Sequence, residues 1–532
     1  MTNRLDRSEA RNDDTGNPGL SGSRLFFALL AGFALFVAFP KFGLGFLSWI
    51  ALVPLFVALR GMASIGRSFL LGWIAGFLAH IGLLYWIAYV AVHYGNLSYI
   101  TGSAVMLLLA AYLSLYTGFF AAGIVCFRGR IPLWLSAPVL WVCLEYLKSY
   151  LFSGFPWANL GYSQYQNLAF IQMADLTGVY GISFLIVLLN VALYGIIRKR
   201  SKSAYALAGC VMLLWAAAYT YGFVRIQQIE SFVHEGRPVE VSLIQGNIDQ
   251  SVKWNPSFQE ETLKIYETLS LQAKHSGGLI VWPETAVPFL FSGQGDYSRR
   301  VRAVAQKTGN HLLFGAMSYA DQKGETDFYN SAYLLSPTGE VSGKYDKVHL
   351  VPYGEYVPLR DVFPFVRALT AGIGDFARGE GYKPLAMNGE KIGVLICYEA
   401  ILPHAARTYK TQGAGLLVNI TNDAWFGTTS APYQHLSMAI FRSVETRLFL
   451  VRAANTGISC VVDPKGRIVA NTDIFKQDRI SAQARFLSIS TVYARFGDWF
   501  PAGCFALIAG MILWTIKGRW RDASRKHSGN RQ

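Results

Sequence analysis

Lys391-Ile392-Gly393-Val394-Leu395-Ile396-Cys397-Tyr398-Glu399 is an apolar run of strand length that stops in a thiol, a phenol and a carboxylate. A short apolar run closed by a polar cluster reads as a buried strand, and a helix start is expected near Leu402. The pattern recurs on both sides. Residues 239–244 run into Gln245-Gly246-Asn247, 278–282 into Pro283-Glu284-Thr285, 311–314 into Gly315, and 416–420 into Thr421-Asn422-Asp423. Residues 458–462 and 467–470 flank Asp463-Pro464-Lys465-Gly466, a hairpin turn. Helical stretches at 258–275, 297–307 and 434–447 lie between the runs. Strands alternating with helices imply a layered α/β domain, and polar residues after the strands fall where such sheets build sites.

The chain as a whole is far more apolar than such a domain. Of its 532 residues 52% are hydrophobic and 15% charged, against about 25% charged in ordinary soluble domains, and the mean hydropathy is +0.29. This composition excludes a disordered chain, a collagen-like repeat and a small disulfide scaffold. Apolar runs at 25–40, 44–59, 68–92, 100–127, 131–147, 168–197, 204–224 and 500–516 are candidates to cross a membrane. A signal peptide is the alternative for the first run. The polar leader before it is long for that purpose, and no A-x-A site follows it.

The net charge of +15 is distributed by topology. Arg4, Arg7, Arg11 and Arg24 precede the first run. Arg60, Arg67, Arg128, Arg130, Arg198, Lys199, Arg200 and Lys202 fill alternate loops, and Lys517, Arg519, Arg521, Arg525, Lys526 and Arg531 fill the tail. The intervening connections carry only Lys41 and Lys148. The positive-inside rule places both termini in the cytoplasm, so the basic excess calls for no nucleic acid. The expected organisation is a cytoplasmic leader 1–23, seven transmembrane helices within 24–224, a polar block 225–499 on the far side, an eighth helix 500–517 and a basic cytoplasmic tail 518–532.

The far side of a bacterial inner membrane is the oxidising periplasm. Cys397 and Cys460 are the two cysteines of the polar block, but Cys460 lies inside a strand-like run and no disulfide is expected. No Cys or His spacing suits a metal. The stretch Ser153-Gly154-Phe155-Pro156-Trp157-Ala158-Asn159-Leu160-Gly161-Tyr162-Ser163-Gln164 reads as an interfacial loop at headgroup depth, serving either anchoring or substrate binding. Glu145, an acid within an apolar run, is left without a role.

Three groups in the polar block carry chemistry together. Cys397 at a strand end can present a thiolate, the Glu284 carboxylate can take its proton, and Lys347 can hold an oxyanion. Singly, each has an ordinary structural reading as core filler, capping residue or solvated lysine. Together they are the reagents of a cysteine-centred acyl transfer.

Their flanks, Trp282-Pro283-Glu284-Thr285, Tyr345-Asp346-Lys347 and Cys397-Tyr398-Glu399, resemble the Glu–Lys–Cys triad of the nitrilase superfamily. Lys347-Val348-His349-Leu350-Val351-Pro352-Tyr353-Gly354-Glu355, Gln245-Gly246-Asn247 and Asn419-Ile420-Thr421-Asn422-Asp423-Ala424-Trp425-Phe426-Gly427 are similar to signatures of its membrane-integrated branch, the bacterial apolipoprotein N-acyltransferases. Tyr353 stands where that family commonly has Phe. The resemblance implies a polytopic α-helical membrane protein with an inserted α/β domain, a nitrilase-like αββα sandwich. It implies ping-pong acyl transfer from a membrane phospholipid, through a Cys397 thioester, to the α-amine of the diacylglyceryl-cysteine of an apolipoprotein. Glu284 would be the base, Lys347 the oxyanion donor with help from a backbone N–H near Tyr398, and Glu355 and Glu399 orienting groups. Trp254 and Tyr398 would line the substrate path. No metal or organic cofactor is implied, and the protein is expected to act as a monomer.

Both substrates would be lipids, held in the bilayer by about 0.8 kcal/mol per buried methylene. The aromatic stretch 353–376 and Trp425-Phe426-Gly427 are therefore read as arms over a lipid entrance, with ordinary packed loops as the alternative. Two rival functions share much of this pattern. A membrane-tethered nitrilase-type amidase hydrolysing a small amide would carry the same triad. A transporter or polymer-assembly protein would need polar or broken helices along a path, whereas these runs hold few charges.

Overall fold

The computed structural model describes residues 21–529, apart from 252, 274, 292–294, 323–324, 353 and 357–375. The described residues fall into two compact units. One holds 21–92, 97–223 and 498–529, and the other holds 93–96 and 224–497.

The first unit is helical, with α1 (Gly22–Val37), α2 (Val53–Ala58), α3 (Ile65–His93), α4 (Tyr99–Phe127), α5 (Leu133–Tyr150), α6 (Leu168–Ile171), α7 (Ala174–Thr177), α8 (Val179–Arg198), most of α9 (Lys202–Glu235) and the C-terminal helix Trp499–Gly529. Five of these, α3, α4, α8, α9 and the Trp499–Gly518 part of the last, are long and apolar enough to cross a membrane. Two runs read as single spans are broken. Residues 44–59 form a 3-10 turn, Gly45–Trp49, before α2, because Gly43 takes a φ of 69° and Pro54 stands at the start of α2. Residues 168–197 become α6, α7 and α8, with Gly178 at φ 63° between the last two. Small residues let α3 and α4 approach closely. A Cβ on Gly72 would lie 2.4 Å from the Thr117 carbonyl oxygen, and one on Gly76 would lie 2.7 Å from the Thr117 hydroxyl.

The aromatic loop between α5 and α6 is a correction to the sequence reading. Trp157, Leu160, Tyr162 and Gln164 are all buried, and among these aromatics only Phe152 stands out, 84% exposed. Backbone buried away from water must find partners, and α5 supplies them. The Glu145 carboxylate accepts from the Leu160 N–H at 2.5 Å, and Lys148 donates to the Trp157 carbonyl at 3.1 Å. Ser149 accepts from Asn159 at 3.1 Å. Glu145 therefore holds a loop that is folded into its unit rather than laid on its surface.

The second unit contains two six-stranded sheets. The first has the order β12-β1-β2-β3-β4-β5 and the second β11-β10-β9-β8-β7-β6, where β1 is Arg237–Gln245, β2 Leu279–Val281, β3 His311–Gln322, β4 Glu325–Leu335, β5 Val341–Asp346, β6 Leu385–Met387, β7 Glu390–Ile396, β8 Leu416–Thr421, β9 Phe449–Ala454, β10 Cys460–Val462, β11 Ile468–Asn471 and β12 Asp478–Phe486. Strands β1, β2 and β3 are parallel, as are β7, β8 and β9. Each parallel step needs a crossover, and α10 (Gln259–Ser270), α11 (Asp296–Thr308), α12 (Pro403–Thr411) and α13 (Ala431–Thr446) supply them. The sheets meet through β1 against β9 and β4 against β7. Helices α10 and α11 pack on the first sheet, and α12 and α13 on the second. The result is an αββα sandwich of nitrilase type. Every residue of β8 and β9 is buried, which explains why they are apolar apart from Asn419, Thr421 and Arg452.

The α3–α4 contact yields a stability prediction. Gly72→Val would drive methyl groups into the Thr117 backbone and should cost about 1–3 kcal/mol, read as an earlier thermal transition of the detergent-solubilised protein. A control at Gly66, whose added Cβ meets nothing within 4 Å, should unfold with the wild type when replaced by Ala.

Candidate active site

Cys397 is the residue at which β7 ends and a 3-10 turn, Cys397–Ile401, begins. Its φ is 53°, a left-handed conformation that costs a non-glycine residue on the order of 1 kcal/mol. Glu399, fully buried, holds the bend. Its carboxylate accepts from the N–H groups of Ile396, Val348 and His349 at 2.8, 2.9 and 3.0 Å, and from the Tyr345 hydroxyl at 2.9 Å. Burial pushes the Glu399 carboxyl up to about 7, against the pull of those donors. One side chain thus ties the segment after β5 to the turn after β7.

Glu284 sits in the turn after β2, where Thr285 takes a φ of 48°. Gly315 gives the turn room, since a Cβ there would lie 2.7 Å from the Glu284 Cα. One carboxylate oxygen accepts from Asn330 Nδ2 at 2.7 Å, and the other from the Asn422 N–H after β8 at 2.9 Å. Lys253, also buried, donates to the Glu284 carbonyl at 3.2 Å and to the Thr285 hydroxyl at 2.6 Å. Burial pushes Lys253 down to about 8, with the Glu284 charge pulling back.

Lys347 follows β5 and is 1% exposed. Its ammonium lies 2.9 and 2.8 Å from the two Glu355 oxygens and 3.6 Å from Glu284 Oε1. Asn330 Nδ2 bridges the two acids, donating to Glu355 at 2.8 Å as well as to Glu284. Burial works against the charge on Lys347, but Glu355, Glu284 and Cys397 outweigh it and hold the amine well above the ordinary lysine value. Burial and the Glu284 charge push the half-buried Cys397 thiol well above its ordinary value, while Lys347 pulls it back. Cys397 is therefore within electrostatic reach of both partners.

The structure thus brings Glu284, Lys347 and Glu355 into one hydrogen-bonded cluster beside Cys397, with Glu399 behind the bend. Tyr398 stacks on His349, their ring centroids 5.6 Å apart. Trp254 is 41% exposed, and among the described residues it makes no hydrogen bond or ring contact with the cluster. Lys344, three residues before Lys347, is partly exposed and paired with Asp346 at 3.1 Å. Of the proposed arms, residues 353 and 357–375 lie outside the described residues, and Trp425 is 37% exposed. Cys397 and Cys460 are both free thiols. Among the described residues, no group of three or more His, Cys, Asp or Glu is placed to hold a metal ion.

Sequence reasoning missed Asn330 and Lys253, which have polar neighbours in sequence and carry no signal of their own. It also missed a buried cluster behind Cys397. Arg452 donates to Asp423 Oδ2 at 2.7 Å and to the Asn419 side-chain oxygen, and His435 Nδ1 lies 3.2 Å from both Asp423 and Arg452. A lone arginine within Leu448-Phe449-Leu450-Val451-Arg452-Ala453-Ala454 was the available signal, since a charge inside a buried strand demands a partner.

Glu399 can be tested as a structural acceptor. Glu399→Gln would turn an amide N–H₂ toward N–H and O–H donors and leave buried groups unpaired, at about 1–3 kcal/mol. The expected result is an earlier thermal transition. An unchanged transition would show that the bend does not depend on this carboxylate.

Comparison with known proteins follows the two-unit division. Residues 31–192 match the apolipoprotein N-acyltransferase N-terminal domain, and residues 240–492 match the carbon-nitrogen hydrolase domain. An apolipoprotein N-acyltransferase of Geobacter metallireducens is 45% identical over 90% of this chain and 92% of its own, and one of Methylococcus capsulatus is 33% identical over 95% and 98%. Among solved structures, Saccharomyces cerevisiae Nit3, a member of branch 10 of the nitrilase superfamily, aligns over 47% of this chain and 90% of its own at 20% identity and a TM-score of 0.36. With both domain matches in order along it and relatives this similar over nearly its whole length, the chain belongs to the apolipoprotein N-acyltransferase family and is an acyltransferase.

Proposed function

We propose that the protein moves an acyl chain from a membrane phospholipid to the α-amine of a diacylated apolipoprotein, by way of a thioester on Cys397. The observation that carries this reading is the buried Lys347 ammonium, fixed by Glu355 and 3.6 Å from the Glu284 carboxylate. Glu284 takes the thiol proton, and the thiolate attacks the ester carbonyl. Lys347 and the Tyr398 N–H hold the oxyanion. Collapse expels the lysophospholipid alkoxide, which recovers the proton from Glu284. The lipoprotein amine then attacks the thioester, Glu284 takes the amine proton, and collapse leaves the amide and returns the proton to sulfur. Water competes at the second step, so a transferase must admit a lipid amine while excluding water.

The Lys and Arg pattern supports a bacterial inner-membrane protein with both termini in the cytoplasm and block 225–499 in the periplasm. The spans lie within 24–224 and 500–517, and the polar ends are 1–23 and 518–532.

Purified protein with phospholipid and a diacylated lipopeptide should yield N-acylated lipopeptide. Chiefly free fatty acid in the presence of lipopeptide would instead identify a hydrolase. Wild type should trap a phospholipid acyl group on Cys397 as a hydroxylamine-sensitive adduct, and Cys397→Ala should trap none. Glu284→Gln and Lys347→Ala should each slow transfer by about a hundredfold or more, with normal membrane expression. Lys344→Ala should stay near wild type, because Lys344 pairs with Asp346 away from the cluster. Equal losses at the two lysines would overturn the assignment of Lys347.

Topology is read by an impermeant thiol reagent on a cysteine-free background. It should label Thr411→Cys from outside intact inner-membrane spheroplasts and miss Ser203→Cys. Labelling of Ser203→Cys would reverse the orientation.

A further inference from the structure

We propose that His435 is a positioning residue for the oxyanion donor: it pins the Cys397 carbonyl, and so turns the Tyr398 N–H to the opposite side of the same peptide. This rests on the thioester reading of Cys397.

The peptide between Cys397 and Tyr398 is planar and trans, so its C=O and N–H point in opposite directions. His435 Nε2 lies 3.3 Å from the Cys397 carbonyl oxygen, and Asn419 Nδ2 approaches the same oxygen at 3.5 Å. His435 belongs to the buried helix α13, and its ring is 1% exposed. The surrounding bonds decide which nitrogen carries the proton. Arg452, always charged, directs NH2 at both Asp423 Oδ2, 2.7 Å away, and His435 Nδ1, 3.2 Å away. Nδ1 also lies 3.2 Å from Asp423 Oδ1, which accepts from the Thr421 hydroxyl at 3.0 Å, so a donor and an acceptor at equal distance leave the choice to the other nitrogen. The Cys397 carbonyl oxygen can only accept, so Nε2 carries the proton that faces it. Burial and the Arg452 charge also push His435 below the ordinary imidazole value, which keeps it in this neutral form.

The cluster reaches the base as well. Asn422, next to Asp423, gives its N–H to Glu284. The ends of β8 and β9 thus set two things at once: where the base stands, and which way the peptide after the nucleophile faces. A left-handed residue such as Cys397 is held at a cost, and without a partner for its carbonyl that peptide could rotate and withdraw the N–H from the oxyanion.

The test separates positioning from folding by comparing two reactions of the same sulfur in the full-length protein in detergent. Alkylation by iodoacetamide displaces iodide at a saturated carbon and forms no oxyanion. Acylation by phospholipid does form one. Both are followed by mass spectrometry on the Cys397 peptide. His435→Leu should slow acylation on the order of a hundredfold while alkylation changes by no more than about threefold, and His435→Gln, which keeps an N–H donor, should recover at least about tenfold of the loss. If the leucine variant does not fold, His435→Asn, whose shorter amide cannot reach the carbonyl, should give the same split. Equal losses in both reactions, or acylation at the wild-type rate in a folded variant, would overturn the role of His435. Cys397→Ala is measured alongside. If it is inactive while His435→Leu acylates normally, only this inference falls. If it still transfers acyl chains, the thioester reading itself falls.

Discussion

A buried ammonium between two carboxylates is the constraint on which the catalytic unit depends. Lys347 is 1% exposed, and an unpaired charge so placed would cost several kcal/mol. Glu355 meets it with both oxygens, Glu284 stands 3.6 Å away, and Asn330 bridges the acids so that neither can swing aside without breaking a hydrogen bond. Removing any of these leaves a buried charge or donor without its partner. The cluster is rigid because no member can relax alone.

That rigidity is distributed over both sheets. Glu284 follows β2, Lys347 follows β5, Cys397 follows β7 and Asn422 follows β8, so the groups of the cluster come from strand ends of the two layers. Hydrogen bonds that cross between the layers keep them in register at the site: Asn422 to Glu284, and Tyr345, Val348 and His349 to Glu399. Two residues, Thr285 and Cys397, sit in left-handed conformations beside this cluster. Glu399 and Lys253 hold the turns in which that strain is stored.

The sequence made legible whatever follows from local periodicity. Strands β1, β7 and β8 were readable because each is an apolar run that ends in polar residues. Strand β12 was not, because Asp478-Arg479-Ile480-Ser481-Ala482-Gln483-Ala484-Arg485-Phe486 is an edge strand with much of its length exposed. Strand β9 was hidden as the continuation of a helical stretch, and the left-handed Arg447 that ends α13 gives no sign in composition. The grouping of Glu284, Lys347 and Cys397 was visible through their flanking motifs. Asn330, Lys253 and His435 were not, because their roles exist only across elements far apart in sequence. The buried loop after α5 was misread for a related reason: aromatics beside Gly and Pro look the same whether they face lipid headgroups or pack inward, and only the partners on Glu145 and Lys148 decide.

The charge count explains why this arrangement suits a thiol that burial holds in its protonated form. Among the described residues, the buried groups of the hydrogen-bonded cluster beside Cys397 include two acids, Glu284 and Glu355, and two bases, Lys347 and Lys253. Bringing a hydroxide in from solvent would add a negative charge to a region of low dielectric, where it is costly. Passing the thiol proton to Glu284 adds none. One negative charge disappears from the carboxylate as another appears on sulfur, both beside the same ammonium. In the proposed mechanism the same holds when the charge moves to the oxyanion, and again when the amine proton moves to Glu284. Through every step Lys347 faces a nearly constant negative charge that only changes place. The high proton affinity of the Cys397 thiol is therefore no obstacle to its being a nucleophile. In the proposed mechanism it keeps the resting sulfur neutral until a carbonyl carbon is present to receive the electrons, and the carboxylate that raises that affinity is the one that takes the proton.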